Sequence, residues 1–506
     1  MKNLSIKTLE HIQESELIKK LSPALFKLPE KVLQFGTGVL LRGLPDYFID
    51  QANKQGIFNG RIIIIKSTLK GASDTFAAQD NLFTQCIRGL ADQVKIEENI
   101  VNASISRVLN ANEEWNEILR CAAIPTLEIV ISNTTEVGIA LLKEDKITSC
   151  PPTSFPGKLL GVLFARYKAF SGDFTKGLII IPTELIVDNG KKLAEIVLEL
   201  AKLNHLETGF VDWLEKANYF CNSLVDRIVP GKMPSEEKEL LQQKLAYNDE
   251  LMIMSESYSL WAIETDNSNV KEKLSFYKAN EGVVINSDIR KFRELKLRLL
   301  NGTHTLTCGL AFLSGFETVK AAMSDPVFHQ YVSRLMQNEI APAIVASDLL
   351  LQEANEFAQK VIDRFSNPFI EHKWINISVQ FSSKMKTRIL PVLKQHYQNS
   401  NEVPPLIAVG FAAFILFMQC KYNNQEYIGQ LNGKDYIITD DHAKWFAERH
   451  DLPVEELINE VLTDKSFWEE DLSVFSGFKE AILLNYKKLK DIGVKKTVEV
   501  FLAENV

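Results

Sequence analysis

Several features that would assign this chain of 506 residues to a particular class of protein are missing. Its six cysteines are scattered without a CxxC pair, so we expect no disulfide framework and a cytoplasmic location. The net charge is −8, and the sequence contains no cluster of Lys and Arg. We therefore expect no nucleic-acid partner. The longest apolar run, 406–418, is shorter than the roughly 20 residues that a membrane helix needs. The N-terminus also lacks an apolar core of signal-peptide length.

The first half of the chain alternates apolar, β-branched runs with helix-like stretches. The runs lie at 31–35, 61–67, 126–133 and 176–183. Continuous apolar runs are typical of strands that are buried on both faces of a sheet. Alternation of such strands with helices predicts a parallel sheet with right-handed crossovers.

After residue 288 the pattern changes to long amphipathic helices with few strand signals. The chain is also too long for a single hydrophobic core. We therefore predict an α/β domain over residues 1–288 and a mostly helical domain over residues 289–506.

A glycine-containing turn follows the first predicted strand in the stretch VLQFGTGVLLRG. Gly36 and Gly38 lie between that strand and a helix, where backbone N–H groups can bind a pyrophosphate. Glycine suits this position because a Cβ would block the tight turn or the approach of a phosphate. The third glycine of the usual motif would fall at Leu41, and Gly43 is out of register, so a plain tight turn is the alternative. Arg42 lies one helical turn further on and can reach a phosphate or form a salt bridge.

The second strand ends in Lys66–Ser67–Thr68. NAD sites commonly carry an acid at this point for the ribose 2′-OH, whereas a basic residue accommodates a 2′-phosphate. These residues alone favour NADP slightly, and a solvated Lys66 is an equally good interpretation.

The stretch KFRELKLRLLNGTHT combines three polar residues suited to carbonyl chemistry. On an α-helix Asn301 and His304 share a face, and Lys296 lies at roughly 80° from His304. A lysine with a lowered pKa can act as a general acid–base group, and an asparagine can donate to a carbonyl oxygen. A histidine can bind a neighbouring hydroxyl or relay a proton. Taken singly, each residue favours a solvated or structural role, and as a set the three are equally consistent with a catalytic one.

KLRLLNGTH resembles the Lys-x4-Asn-x2-His signature of the polyol-specific long-chain dehydrogenases, the mannitol dehydrogenase family. FGTGVLLRG, QDNLFT and FCNSLVDRIVP are also similar to segments of that family, and the resemblance extends over about residues 30 to 500. Within the family, SNTTEVG, NSLVDRIVPG and KTRILP resemble the tagaturonate reductase (altronate oxidoreductase) branch. Mannitol and fructuronate enzymes usually carry Phe-His-Arg where this chain has Leu40–Leu41–Arg42.

The resemblance implies a Rossmann-type N-terminal domain, a mostly helical C-terminal domain and NAD-dependent reduction of D-tagaturonate to D-altronate without a metal. It implies that Lys296 is the acid–base residue, that Asn301 polarises the carbonyl and that His304 contacts a hydroxyl. The implied cofactor-binding residues are Gln34, Phe35, Gly36, Thr37, Gly38, Val39, Arg42 and Asn133. The alternatives are a fructuronate, polyol or ketose oxidoreductase of the same family, and a non-catalytic nucleotide-binding protein.

The sequence departs from the family at Leu185. Polyol-oxidising relatives have an asparagine in the corresponding segment, where it helps to hold the reacting oxygen. A leucine cannot donate a hydrogen bond, and Glu184, Asn189 or a water molecule are the candidates to replace it.

A keto-uronate substrate carries a carboxylate, which calls for a cation and ideally for an arginine. Lys384 and Arg388 are four residues apart in SSKMKTRILP and can share a helix face; Lys386 lies between them. Arg227 is a further candidate. The alternatives are a solvated basic helix and, for Arg227, a structural salt bridge. We expect a small-molecule partner only, with the protein a monomer or homodimer.

Overall fold

The computed structural model describes residues 1–11, 17–67, 73–134 and 138–504. Thr68 and residues 135–137 of the SNTTEVG segment lie outside the described residues. The chain forms two compact units. The first comprises Met1–Arg88 and Lys95–Ile289, and the second comprises Gly89–Val94 and Arg290–Val506.

The first unit is built on a six-stranded parallel sheet. Its strands are β1 (Glu30–Phe35), β2 (Arg61–Lys66), β3 (Ile105–Asn110), β4 (Ile129–Ser132), β5 (Ile179–Pro182) and β6 (Tyr219–Phe220). They are arranged in the order β3-β2-β1-β4-β5-β6, and every pair is parallel. This is the dinucleotide-binding order, in which successive strands are added first on one side of β1 and then, from β4 on, on the other, so that the switch point lies between β1 and β4. The predicted parallel sheet is confirmed, although the sequence pattern did not indicate β3 or β6.

Two hydrophobic cores cover the two faces of this sheet, which explains the continuous apolar runs. Leu33 and Phe35 of β1 belong to one core, and Val32 belongs to the other. The larger helices of this unit are Pro45–Lys54, Trp115–Cys121, Phe155–Ala169, Asn189–Leu203, Thr208–Ala217 and Ser235–Leu245. The shorter ones are Ile6–Glu10, Pro23–Lys27, Val39–Gly43, Ser73–Ala78, Phe174–Lys176, Ser268–Lys273 and Ser275–Ala279.

Smaller sheets accompany the six-stranded one. Ile253–Glu256, Phe83–Ala91 and Val94–Asn102 form one three-stranded sheet, in that order. A second consists of Ser223–Asp226, Leu260–Glu264 and Val283–Asn286, and Lys2–Asn3 pairs with Tyr247–Asn248.

The second unit is mostly helical, as predicted. Its helices are Arg290–Glu294, Thr303–Leu313, Val319–Met323, Pro326–Arg334, Ala341–Ile344, Leu351–Phe365, Trp374–Ile377, Phe381–Lys384, Leu390–Asn399, Pro405–Phe417, Ala443–Ala447, Val454–Thr463, Lys465–Trp468, Leu472–Val474, Phe478–Asp491 and Val494–Glu504. A small antiparallel sheet, Lys421–Asn423, Glu426–Leu431 and Lys434–Ile437, was not indicated by the sequence pattern. Among the described residues, no helix is both long and apolar enough to cross a membrane.

Three stretches of the second unit are π-helical: Leu295–Gly302, Leu335–Ile340 and Met385–Ile389. π-Helix is rare and occurs frequently at functional sites. Pro342 and Pro391 follow two of these stretches closely. A proline lacks an N–H and clashes with the carbonyl four residues earlier, so a wider turn accommodates it. The α-helical spacing that we assumed for Lys296, Asn301 and His304 is therefore wrong over the first of these stretches.

The helices Thr303–Leu313 and Pro405–Phe417 cross at glycines. A Cβ on Gly309 would lie 2.8 Å from the carbonyl oxygen of Ala413, and one on Gly410 would lie 3.0 Å from that of Leu306. The backbones therefore approach each other too closely for any larger residue at the crossing.

We expect Gly309→Ala to destabilise the protein by about 1–3 kcal/mol because the two helices must separate. Thermal or denaturant unfolding measures this loss. Gly302→Ala is the matched control, since its Cβ would find Ile389 at 3.4 Å, an ordinary contact distance. Equal stability of Gly309→Ala and the unmodified protein would show that the crossing is looser than described.

Candidate active site

The glycine turn after β1 places its two glycines in different surroundings. Gly36 has a φ of +124°, and a Cβ on it would lie 2.9 Å from Leu41 and 3.0 Å from the carbonyl oxygen of Asn133. Gly38 precedes the helix Val39–Gly43, and no described residue places an atom within 4 Å of the position its Cβ would take. Gly36 therefore gives the turn its shape, and Gly38 leaves space beside the backbone.

Gly43 has a packing role, although it is out of register with the third glycine of the usual motif. A Cβ on Gly43 would lie 2.9 Å from both methyl groups of Val229, and one on Gly231 would lie 2.9 Å from Val39. The segment that follows Arg227 thus packs directly against the short helix. Close packing of this kind is the task of the third glycine in dinucleotide-binding turns.

Arg42 does not face outward from the turn, contrary to our expectation. Its Nη1 donates to the carbonyl oxygen of Leu251 at 2.6 Å, and its guanidinium lies over the rings of Phe76 and Phe83. Burial lowers the pKa of this guanidinium. The contacts indicate that Arg42 supports the helix from inside and does not hold a phosphate.

Other residues of the turn also point inward. Gln34 is fully buried and its Nε2 lies 3.4 Å from both the carbonyl oxygen of Gly36 and Oδ2 of Asp46. Burial raises the pKa of the Asp46 carboxyl to about 8. Phe35 packs edge-on against Phe155 in the core. The side chains of Gln34 and Phe35 therefore support the turn, while Thr37 and Val39 are half-buried.

Polar groups join the ends of β4 and β5 beside this turn. The main-chain N–H of Asn133 donates to Phe35, and its side-chain amide donates to the carbonyl and hydroxyl oxygens of Thr183 at 3.1 and 3.0 Å. The Glu184 carboxylate accepts from the Ser132 hydroxyl and from both the N–H and the hydroxyl of Thr134. Burial raises the pKa of Glu184, against the effect of these hydrogen bonds. Asn133 therefore lies at the switch point of the sheet.

Neither Glu184 nor Asn189 replaces the hydrogen-bond donor that is missing at Leu185. Leu185 itself is 59% exposed. The Asn189 amide nitrogen is within hydrogen-bond distance of the carbonyl oxygens of Pro182, Glu184 and Ser223. The Glu184 carboxylate is held by β4, so Glu184 and Asn189 both have structural roles.

Arg227 is also bound by the protein itself. Its guanidinium donates to the carbonyl oxygens of Gly43 and Glu256 and lies over the ring of Tyr47. Burial lowers its pKa to about 10. These contacts are with main-chain oxygens and an aromatic ring, and they indicate a structural role in place of the substrate contact that we expected.

In the second unit, Lys296 and Asn301 share the π-helical stretch Leu295–Gly302, and both are half-buried. The i→i+5 pattern of a π-helix places residues five apart on successive turns. The Asn301 carbonyl oxygen accepts from Arg388 and Thr305. No described residue lies within hydrogen-bond distance of the Asn301 side-chain amide, which leaves it available to a ligand.

His304 is a buried imidazole whose surroundings favour its neutral form. Its ring stacks on Phe365 at a centroid distance of 3.8 Å and meets His372 edge-on at 5.1 Å. Burial lowers the pKa of His304 well below its usual value, and His372 and nearby arginines add to this effect. Within the described part of the chain, the buried Nε2 of His304 has no hydrogen-bond partner. This nitrogen is suited to a ligand hydroxyl.

Two cations lie near His304. Lys384 and Arg388 both disfavour its protonated form electrostatically. Nζ of Lys384 donates to the Ile377 carbonyl oxygen at 2.8 Å, and burial lowers the pKa of both side chains, that of Arg388 to about 10. Lys386 instead pairs with Glu469. The structure therefore groups His304 with Lys384 and Arg388.

Two further members of this group, His372 and Arg364, were not indicated by the sequence, although both also disfavour the protonated form of His304. His372 lies in a loop, and Arg364 lies in the helix Leu351–Phe365. A lone histidine or arginine at such positions carries no motif, so the sequence offered no signal for either.

Comparison with known families matches both halves of the chain. Residues 30–275 match the mannitol dehydrogenase Rossmann domain, and residues 288–490 match the mannitol dehydrogenase C-terminal domain. The chain belongs to the mannitol dehydrogenase family. The expected α/β Rossmann-type fold with a helical second part, and an oxidoreductase activity with a nicotinamide dinucleotide, are confirmed.

Individual members of the family are similar along nearly their whole length. The chain is 35% identical to an altronate oxidoreductase of Halalkalibacterium halodurans, with 93% of each chain covered. It is also 35% identical to an altronate oxidoreductase of Bacillus subtilis, covering 94% of this chain and 95% of the relative. A mannitol 2-dehydrogenase of Pseudomonas fluorescens, solved with NAD and D-mannitol, shares the fold with a TM-score of 0.68 at 22% identity and 99% coverage of both chains.

The glycine turn fits a dinucleotide. The open space at Gly38 is the place that a pyrophosphate requires, and the adjacent N–H groups of the turn can bind it. Asn133 lies at the switch point beside the turn, where it can contact the part of a dinucleotide that adjoins the pyrophosphate.

Proposed function

We propose that this protein reduces D-tagaturonate to D-altronate with NADH, and catalyses the reverse reaction with NAD. The observation that carries this proposal is the group formed by His304, Lys384 and Arg388 in the second unit, in which Arg388 donates to the Asn301 carbonyl oxygen and to the hydroxyl of Thr305, the residue after His304. A neutral imidazole for a hydroxyl and two cations for a carboxylate suit a sugar acid better than an uncharged polyol. The altronate oxidoreductases of similar sequence support the same substrate.

In this proposal the residues of the π-helical stretch act on the substrate oxygen. The bound nicotinamide supplies a hydride to the keto carbon. Lys296 donates a proton to the carbonyl oxygen, and the Asn301 amide donates a hydrogen bond to the same oxygen as negative charge develops on it. His304 binds the neighbouring hydroxyl through Nε2 and stays neutral because of its burial. In the reverse direction Lys296 accepts the proton.

One feature of the first unit supports NAD over NADP. Lys66 is only 4% exposed at the end of β2, so its ammonium is poorly placed to bind a 2′-phosphate in solvent. The burial also argues against the solvated lysine that we considered. Gly36, Gly38 and the N–H groups of Thr37 and Val39 would hold the pyrophosphate, and Asn133 the nicotinamide ribose.

Arg388 is the better of the two candidates for the substrate carboxylate. Only its Nη1 is engaged, with the Asn301 carbonyl oxygen and the Thr305 hydroxyl. Its other N–H groups have no described partner and can form a two-point contact with a carboxylate. Lys384 would add positive charge from the preceding helix.

A panel of substrates tests the proposal. NADH and NADPH oxidation should be followed in parallel with tagaturonate, fructuronate and fructose. We expect rapid oxidation of NADH with tagaturonate, because the cations favour a uronate and the buried Lys66 does not favour NADPH. Turnover of fructuronate or fructose instead would assign a different substrate to the same chemistry, and a preference for NADPH would refute the cofactor assignment.

Replacing Lys296 with alanine should lower kcat for tagaturonate by about 10²- to 10⁴-fold, because the proton donor is lost. The Kd for NADH, measured by fluorescence titration, should remain unchanged. Lys291→Ala is the matched control, since Lys291 lies one turn earlier and pairs with Glu353. Full turnover by Lys296→Ala would end its assignment as the acid–base residue.

Replacing Arg388 with glutamine should raise KM for tagaturonate about 10- to 100-fold, because a charge-assisted contact with the carboxylate is lost. KM for NADH should not change, and any preference for tagaturonate over fructose should fall. Lys386→Gln controls for loss of a nearby positive charge, since Lys386 pairs with Glu469. An unaltered KM for tagaturonate in Arg388→Gln would exclude Arg388 from the carboxylate site.

A further inference from the structure

The chain on either side of Asn133 is held by one buried side chain. Glu184 is 3% exposed and follows β5. Its Oε2 accepts from the Ser132 hydroxyl at 3.1 Å, and its Oε1 accepts from the Thr134 N–H at 2.9 Å and from the Thr134 hydroxyl at 3.1 Å. Both neighbours of Asn133 are therefore bound to a single carboxylate.

The residue before Glu184 fixes Asn133 itself. The carbonyl and hydroxyl oxygens of Thr183 accept from the Asn133 amide at 3.1 and 3.0 Å. The same hydroxyl donates to the Ser132 carbonyl oxygen at 2.7 Å. Thr183 and Glu184 together bind three consecutive residues at the end of β4 and leave Asn133 little freedom to rotate.

We propose that Glu184 is a positioning residue for the dinucleotide, which holds the Asn133 amide in the orientation that the cofactor ribose requires. This inference rests on the proposed contact between Asn133 and the cofactor. Glu184 has no part in the chemical step, because its two oxygens are already used by three donors of the protein.

Two substitutions separate the parts of this role. In Glu184→Gln the amide oxygen can still accept from the N–H and hydroxyl of Thr134. The amide nitrogen then faces the Ser132 hydroxyl, which can rotate to accept. In Glu184→Ala all three acceptor contacts disappear, and the Thr134 N–H loses its partner.

Asp145 offers a matched control in the same unit. It is also buried, and its carboxylate accepts from the Thr153 N–H, the Ser154 N–H and the Ser154 hydroxyl. Like Glu184, it binds three donors that are main-chain N–H groups and hydroxyls, but on a loop that precedes the helix Phe155–Ala169. Replacing Asp145 therefore shows what the removal of a buried carboxylate does when that carboxylate does not hold Asn133.

The experiment is a fluorescence titration of the full-length protein and its variants with NADH in the absence of sugar. We expect Glu184→Ala to raise the Kd about tenfold and Glu184→Gln to restore it to within about threefold of the unmodified protein. Asp145→Ala should lower the melting temperature and leave the Kd unchanged. A wild-type Kd in folded Glu184→Ala, or an equal loss of affinity in Asp145→Ala, would overturn the proposal.

If Glu184→Ala does not fold, Ser132→Ala takes its place, because it removes the hydroxyl by which the Glu184 carboxylate holds the residue before Asn133. A raised Kd supports the proposal, and an unchanged one refutes it. The titration contains no sugar, so it tests the role of Glu184 separately from the proposed reaction. If the unmodified protein binds NADH but does not turn over tagaturonate, only the proposed reaction is refuted.

Discussion

Arg298 and Arg388 hold two π-helical stretches together, because each arginine donates to the backbone of the other stretch. Nη1 of Arg298 binds the Thr387 carbonyl oxygen at 2.6 Å, and Nη1 of Arg388 binds the Asn301 carbonyl oxygen at 3.3 Å. In an α-helix the Thr387 carbonyl would accept from residue 391, which is Pro391 and has no N–H. Arg298 satisfies that oxygen instead. The positions of Lys296 and Arg388, which we assign to proton transfer and carboxylate binding, depend on these two hydrogen bonds.

The same principle governs the cofactor half. Strand ends and distorted helices leave backbone groups without regular partners, and buried polar groups of this kind must be satisfied. Side chains such as Glu184, Asn189, Arg42 and Arg227 satisfy them in the first unit. In the second unit, Nε2 of His304 is a buried atom that no described residue satisfies, and it is the one that we assign to a ligand.

Sequence patterns predicted the features that depend on local composition. The runs that became β1, β2, β4 and β5 are apolar because both faces of the sheet are covered, and the glycine turn follows β1 as expected. The short strand Tyr219–Phe220 has too few residues for a pattern, and the π-helical stretches look like ordinary amphipathic helices. Arg42 and Arg227 were assigned to ligands because their actual partners, carbonyl oxygens of Leu251, Gly43 and Glu256, are distant in sequence or carry no side-chain signal.

The exchange between Arg298 and Arg388 determines which replacements these positions tolerate. Nη1 of Arg298 donates to the Thr387 and Arg388 carbonyl oxygens, and its Nε pairs with Glu294. A single side chain therefore makes an ion pair within its own helix and hydrogen bonds to the neighbouring π-helical stretch. A lysine would keep the charge but has one nitrogen in place of a planar fork, so it cannot make both contacts at once. A replacement that keeps only the charge at position 298 therefore loses contacts that depend on the geometry of the guanidinium.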